Sequence, residues 1–219
     1  MTADAAFDAA FLSRAAARST ATLHEAAKKI GALPAAIKPL ALQVRLCGAA
    51  FTVRSPGGDN LWLHHALYAA QAGEVLVVDV SGAPEFGYFG EVMAVAAVAR
   101  GLQGLVIDGG VRDGERMLAM GFPVFSRTPA IRGTIKDPVA SGSLGVPILI
   151  GDVSIARGDL VCGDGDGVVI LPRGRAHEIV EAAERRDTEE ERIFSRLRAG
   201  ESTLDIYRLP TPASLEGTR

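Results

Sequence analysis

The feature that most limits how this chain can fold is a strand–helix–strand unit that runs out into two glycines and an Arg-Asp pair. Residues 74–80 (EVLVVDV) form a continuous apolar run of strand length, and residues 104–108 (GLVID) form a second. Between them the spacing predicts a short helix of small residues, from about 90 to 100, closed by a turn at Gly101. Two strands joined through a helix in one sheet lie parallel, with a right-handed crossover in nearly every known case. The start of the helix and the residues after the second strand then share the carboxyl edge of the sheet, where open α/β sheets bind their ligands. Glu91 and the pair Arg112–Asp113, distant along the chain, are expected to meet there.

The residue types at that meeting point have a definite chemistry. The first N–H groups of the helix, at Glu91, Val92 and Met93, have no acceptor within it and carry the positive end of its dipole, which suits a carboxylate. Arg112 offers a fixed fork of donors to a carboxylate or to a developing enolate oxygen. Asp113 is a hard oxygen ligand, suited to Mg²⁺ or Mn²⁺ with most other positions left to water and substrate, and Glu91 could hold one of those waters. The plainer alternative is a buried strand–helix–strand whose Arg-Asp neighbours make a surface salt bridge.

A length of 219 residues suffices for one well-buried core or two small ones. The net charge of −3 gives no electrostatic case for nucleic acid or for an anionic membrane surface. No apolar run reaches the ~18 residues that a membrane span needs. Asp4 and Asp8 stand where a targeting peptide would be basic, so a cytoplasmic protein is expected. Cys47 and Cys162, far apart in sequence, are read as two buried thiols of a reducing compartment rather than a disulfide.

Along the rest of the chain, residues 5–17 read as a helix by propensity. Ser19 or Thr20 caps a second helix running to Ile30, with Gly31 ending it. Residues 44–47 and 49–53 are β-like, and Asp59 or Asn60 can cap a helix over 61–70. His64 and His65 on that helix lie about 100° apart, so they cannot chelate one metal as an i, i+4 pair could. Residues 121–125 (GFPVF) read as a short strand at an edge because of Pro123, and 127–145 as a long surface connection. Four short β segments follow, with Gly-Asp turns between them. The turn Asp164-Gly165-Asp166-Gly167 superficially resembles a calcium loop but lacks its third acidic position and its distal glutamate. Residues 174–199 form a long charge-laced helix, and the end from about 211 reads as a loose tail. Without an internal repeat or a linker, residues 1–219 are read as one domain.

Taken together these motifs resemble a known family. Gly90-Glu91, then Arg112-Asp113 after an interval of twenty residues from Glu91, is similar to the signature of the RraA-like proteins. The resemblance extends over most of the chain, through Ser19-Thr20, EVLVVD, VIDGGVRD, GFPVF, the run ARGDLVCGDGDGVVILP at 156–172, and Leu204-Asp205-Ile206-Tyr207. That superfamily includes class II pyruvate aldolases, which cleave 4-hydroxy-4-methyl-2-oxoglutarate and 4-carboxy-4-hydroxy-2-oxoadipate.

The resemblance implies an α/β fold, a β/β/α swivelling-type sandwich with N-terminal helices and a long C-terminal helix. It also implies assembly as a homotrimer or a dimer of trimers, with sites between subunits. Carried onto this chain, it makes Asp113 the direct ligand of Mg²⁺ or Mn²⁺, with Glu91 acting through water. The amides at the helix start, from Gly90 through Glu91, Val92 and Met93, would hold the pyruvyl carboxylate. Arg112 would polarise the C2 carbonyl and stabilise the enolate. A glutamate from an adjoining subunit, matched here by Glu190 with Glu189 and Glu191 beside it, would assist. The aldolases often have Asp where this chain has Glu91, which keeps the charge and reaches about one methylene further. The expected reaction is cleavage of the C3–C4 bond of a 4-hydroxy-2-oxo acid to pyruvate, the C4 hydroxyl proton passing to a metal-organised water. Oxaloacetate, losing CO₂ to the same enolate, would be a side substrate. The family also contains RraA regulators, which bind and inhibit ribonuclease E. Asp113 and the C-terminal helix weigh against that role here.

Overall fold

In a computed structural model, which describes residues 7–210, the chain opens with two helices, α1 (Ala9–Ala16) and α2 (Thr20–Ala26). A two-residue strand β1 (Lys38–Pro39) precedes the long β2 (Leu46–Arg54), then α3 (Leu61–Ala69) and β3 (Glu74–Asp79). The central unit is β4 (Gly87–Phe89), α4 (Glu91–Ala99), β5 (Gly104–Val111) and α5 (Gly114–Ala119), followed by β6 (Val124–Pro129). The second half holds β7 (Ser143–Leu144), the hairpins β8 (Ile148–Ile150) with β9 (Val153–Ile155) and β10 (Leu160–Asp164) with β11 (Gly167–Leu171), then α6 (Ala176–Arg198) and α7 (Thr203–Tyr207).

The main sheet runs in the order β1-β6-β5-β3-β2-β10-β11, with β4 added against β5 and β7 against β2. β2, β3, β5 and β6 are mutually parallel, as the crossover argument requires. β10, β11 and β1 join antiparallel at the two sides. This mixed sheet, nearly closed into a barrel, with N-terminal helices and a long C-terminal helix, is the β/β/α sandwich expected.

Alternation along the strands divides the interior. Leu76 and Val78 of β3 and Leu105 and Ile107 of β5 point with Phe51 toward α3, α4 and α5. Val75, Val77 and Val106 point the other way, onto Phe125 and the β8–β9 ribbon through Ile148, Ile150 and Ile155. Strands covered on both faces have no position for a polar side chain, which is why they read as unbroken apolar runs. A third cluster seals β10 and β11 beneath α1, α2 and α6 through Phe11, Leu23, Leu171, Ile179 and Val180.

Several boundaries differ from the sequence reading for local reasons. The part of the first expected helix before Phe7 lies outside the described residues. α1 begins at Ala9 because Asp8 caps it, accepting the Phe11 N–H at 2.7 Å. α2 is capped by Ser19, whose Oγ accepts the Thr22 N–H at 2.9 Å, but it stops at Ala26 rather than Ile30. Lys28 and Lys29 adopt φ of 60° and 64°, turning the chain so that Gly31 and Leu33 can bond β11. The strand expected at 121–125 begins only after Pro123, and β1 pairs with its outer side, so it is second from the edge.

The Asp-Gly run at 164–167 is a structural clasp. Buried Asp164 accepts the Thr20 N–H at 2.8 Å, the Thr20 hydroxyl at 2.7 Å and the Asp166 N–H at 3.0 Å. It thus ties the start of α2 to the β10–β11 turn. Burial pushes the Asp164 carboxyl up, but the Thr20 and Asp166 hydrogen bonds and the charge of Arg45 outweigh that and hold it below the usual carboxylate range. A carboxylate held low in the folded state stabilises above its unfolded pKa, near pH ~4, and the contribution disappears as the pH falls through the folded value. Asp164→Ala should therefore cost about 2–3 kcal/mol near neutral pH in urea unfolding, through three stranded donors. The gap to the wild type should narrow as the pH falls below about 4. A gap independent of pH would show that the carboxylate charge plays no part.

Candidate active site at the carboxyl edge of the sheet

β4 adds beside β5 at its carboxyl end, with Gly87 opposite Gly110 and Phe89 opposite Val111. The glycines of β5 permit this: a Cβ on Gly110 would lie 2.7 Å from the Phe86 carbonyl oxygen and 2.7 Å from the Ala130 Cβ. The chain leaves β4 through Gly90 directly into α4, so the first turn of α4 faces the residues that follow β5. The Arg112 N–H donates to the Phe89 carbonyl at 2.9 Å and fixes that approach.

Asp113 has a left-handed backbone, φ 58° and ψ 33°, at the N-cap of α5. For a residue other than glycine this conformation costs about 1–2 kcal/mol and is found preferentially where function holds it. It turns the carboxylate onto α4: Oδ2 accepts the Glu91 N–H at 3.1 Å and lies 3.8 Å from the Arg112 Nε. Gly90 makes room for it. A Cβ there would sit 2.5 Å from Asp113 Oδ2 and 3.0 Å from Arg112 Cγ. The structure thus brings together Gly90, Glu91, Val92, Met93, Arg112 and Asp113.

The three helix-start amides are not equivalent. The Glu91 N–H is engaged by Asp113, and the Met93 N–H donates to the Gly90 carbonyl at 3.1 Å. Among the described residues the Val92 N–H is the one of the three without a protein acceptor. Arg112 and Asp113 remain half exposed, at 53% and 43% of their side chains, so a ligand can reach both.

Two recesses flank the pair. One, about 310 Å³, is lined by Leu40, Pro129, Ala130 and Ile131. The other, about 180 Å³, is lined by Asn60, His64, Gly90, Val92, Met93 and Lys136 together with Arg112 and Asp113. Asn60, His64 and Lys136 are the residues that sequence reasoning missed. Asn60 is 7% exposed; its amide nitrogen donates to the Tyr88 carbonyl at 2.9 Å, while its Oδ1 is buried with no partner. Such an orphan acceptor beside a charged pair marks a place for a donor from a ligand or water. Burial first, then the neighbouring Lys136 and His65, hold the His64 imidazole below its usual range.

Lys136 arrives from the long connection after β6, and its placement is tertiary. The Asn60 N–H donates to the Ile135 carbonyl at 3.1 Å, the Ile135 N–H to the Gly58 carbonyl at 2.9 Å, and the Asp137 N–H to the Asp59 carboxylate. Asp59 also caps α3 through the Leu61 N–H at 2.7 Å. The one hint in the sequence was that long unpatterned connections are often functional. Two wider hollows, about 370 Å³ each, lie elsewhere; in one Arg157 pairs with Glu74, and in the other Asp159 accepts the Ala156 and Arg173 N–H groups.

Glu190 is not brought to this edge within one chain. It sits on α6, which packs on α1 and α2, and pairs with Arg186 at 3.0 Å. Glu189 pairs with Arg192 at 3.2 Å, and Glu191 is exposed. Among the described residues no three His, Cys, Asp or Glu side chains converge as a metal cage. The donor set at the edge is instead one carboxylate turned inward by a strained backbone, with a second on the adjacent helix start. That arrangement fits a hard, largely hydrated ion such as Mg²⁺ or Mn²⁺, which takes one or two protein carboxylates and keeps its other positions for water and substrate.

Residues 20–170 match the family model described as RraA-like, Aldolase/RraA. A Halalkalibacterium halodurans protein provisionally named 4-hydroxy-4-methyl-2-oxoglutarate aldolase is 34% identical over 172 residues, spanning 78% of this chain and 81% of that one. A Pseudomonas syringae protein of uncharacterised function superposes with a TM-score of 0.81 at 28% identity, over 95% of this chain and 99% of that one. Streptomyces coelicolor RraAS2, an unusual member of the RNase ES inhibitor RraA family, superposes with a TM-score of 0.72 at 29% identity, over 87% and 98%.

Gly90→Ala isolates the close approach. Its φ of −153° is extended backbone open to any residue, and the atoms nearest the added Cβ belong to the Asp113 and Arg112 side chains. The variant should keep a wild-type melting temperature, and any Mn²⁺ binding that calorimetry detects in the wild type should weaken at least about tenfold, or about 1.4 kcal/mol. Unchanged Mn²⁺ binding would mean that Asp113 does not need this cradle.

Proposed function

As the chain belongs to the RraA-like family, we propose that it is a divalent-metal-dependent lyase acting on a 4-hydroxy-2-oxo di- or tricarboxylate. It would release pyruvate and a second oxo acid from a substrate such as 4-hydroxy-4-methyl-2-oxoglutarate, and decarboxylate oxaloacetate as a side activity. The observation that carries the reading is the Asp113 carboxylate, held in a left-handed backbone against the start of α4 with Arg112 beside it.

Asp113 would hold the Mg²⁺ or Mn²⁺ directly and Glu91 through water; the bound ion would supply Lewis-acid polarisation of the carboxylate and C2 oxygens. The substrate carboxylate would take the open Val92 N–H at the positive end of α4. When the C4 hydroxyl loses its proton to a carboxylate-linked water, C4 becomes a carbonyl and the C3–C4 electrons pass into an enolate. Arg112, at the C2 oxygen, carries that new charge. Protonation at C3 completes pyruvate. On the far side, Lys136 would receive the distal carboxylate, with the Asn60 Oδ1 accepting from the C4 substituent or a water.

The outer face of α4 supports an oligomer. Val92, Val95 and Val98 are 81%, 53% and 48% exposed, and Ile131, beside Arg112 and Asp113, is 97% exposed. A helix apolar on both sides is one covered on both sides. In this reading the chain forms a homotrimer or a dimer of trimers, a second copy covers α4, and Glu190 of that copy exchanges Arg186 for the site.

Pyruvate release from a panel of 4-hydroxy-2-oxo acids and oxaloacetate, with and without EDTA, tests the reading. Activity should vanish with EDTA, return with Mg²⁺ or Mn²⁺, and be absent in a folded, assembled Asp113→Ala variant; full activity in that variant removes the assignment. Arg112→Lys keeps the charge and loses the fork. It should lower kcat by about 10²-fold or more with little change in KM, since the enolate contact is made chiefly in the transition state. A steep rise in KM at constant kcat would make Arg112 a carboxylate clamp instead.

The similarity to the Streptomyces coelicolor protein favours a second reading, a non-catalytic regulator that binds and inhibits ribonuclease E. Inhibition of that nuclease without pyruvate release from any of the panel would select it.

A further inference from the structure

The chain has two cysteines, and they face each other. Cys47 on β2 and Cys162 on β10 are register partners 115 residues apart in sequence. The Ala50 N–H donates to the Asp159 carbonyl at 2.8 Å, which makes the neighbouring pair Ala49–Leu160 non-hydrogen-bonded. Two residues along, Cys47–Cys162 is therefore of the same kind. In such pairs the backbones come closest, with Cα atoms about 4.5 Å apart and side chains on one face in contact. That spacing lies within the range a disulfide spans. The two sulfurs stand 3.7 Å apart, so rotation about the Cα–Cβ bonds is the movement needed to join them.

The two thiols are not equivalent. Cys162 is 3% exposed, whereas Cys47 is partly exposed and lies 3.6 Å from the Leu12 carbonyl under α1. A hydrogen bond from Cys162 outweighs burial and brings the Cys47 thiol below its usual value; the same bond and burial raise Cys162 well above it. Cys47 is thus the sulfur to react first, and Cys162 the one to resolve it.

We propose that Cys47 and Cys162 form a reversible oxidation site, closed to an intrachain disulfide by hydrogen peroxide and reopened by dithiols. The Cys47 thiolate attacks one peroxide oxygen; an S–O bond forms, the O–O bond breaks, and hydroxide leaves to become water. The Cys162 sulfur then attacks the Cys47 sulfur; the S–S bond forms, the S–O bond breaks, and a second water leaves with the Cys162 proton. Two thiols give up two electrons, and the peroxide becomes two waters. The bond would join β2, the last strand of the parallel set, to the hairpin that carries α2 and α6. Cys47 lies at the amino end of β2, opposite the edge holding Arg112 and Asp113. The clasp should therefore raise resistance to unfolding, as closing a long loop does, and it does not depend on the function proposed for that edge.

Peroxide treatment of the full-length protein, followed by intact mass and by thiol titration in denaturant, tests this. Expected are a monomer lighter by two hydrogens, no titratable thiol, a raised Tm, and reversal of all three by dithiothreitol. In Cys162→Ser the same dose should leave a Cys47 sulfenic acid captured by dimedone, and in Cys47→Ser no modification. Both thiols still titrating after peroxide, a product heavier by oxygen atoms, or an interchain disulfide dimer would each overturn the proposal. The wild-type measurement stands alone should either variant fail to fold.

Discussion

Burial of β3 and β5 on both faces is the constraint on which the rest depends. Leu76, Val78, Leu105 and Ile107 are spent on one side, Val75, Val77 and Val106 on the other, and none of them is solvent-accessible. A sheet centre of this kind cannot carry a charged group without a large desolvation penalty. Charged chemistry is displaced to the strand ends, and parallel pairing brings the carboxyl ends together. Asp79, Asp108 and then Arg112–Asp113 follow along that edge, with Asp108 held by Arg127.

At that edge two small features shape the candidate site. Gly90 removes the one Cβ that would keep α4 from Asp113, and the left-handed backbone of Asp113 aims the carboxylate at the helix start. Neither contributes much to stability, and the second costs some. A hydrogen bond from the Glu91 N–H offsets part of that cost while holding an anion where a helix N-terminus favours one.

Around this centre the structure is asymmetric in what it satisfies. Tyr88 is fully used, accepting from the Gly58 N–H at 2.7 Å and donating to the Ala83 carbonyl at 2.7 Å, and it makes a rigid wall. Asn60, which donates to the Tyr88 carbonyl, keeps an unanswered acceptor beside His64 and Lys136. A rigid wall next to an unsatisfied group is how a fold reserves space for something it does not itself contain.

The meeting of Glu91 with Arg112–Asp113 was legible because it follows from local signals and one rule of handedness. Apolar runs of strand length, a short helix between them and terminal glycines act over a few residues each, and the crossover admits one arrangement. The caps at Ser19 and Asp59 were legible for the same reason, since a side chain bonding an N–H two or three residues on needs no partner from elsewhere. The early end of α2 was not, because Lys28 and Lys29 turn only to meet β11. Nor was Lys136, whose place is set by Asn60, Gly58 and Asp59. Cys47 and Cys162 read as unrelated thiols, since their adjacency is a property of the β2–β10 register. The sequence by itself determined the sheet, its direction and the edge where chemistry collects. Which amide stays open, which acceptor goes unanswered and which distant side chains become neighbours was decided by tertiary structure alone. Each is the outcome of several segments competing for the same hydrogen bonds and the same space, a result that no single segment carries.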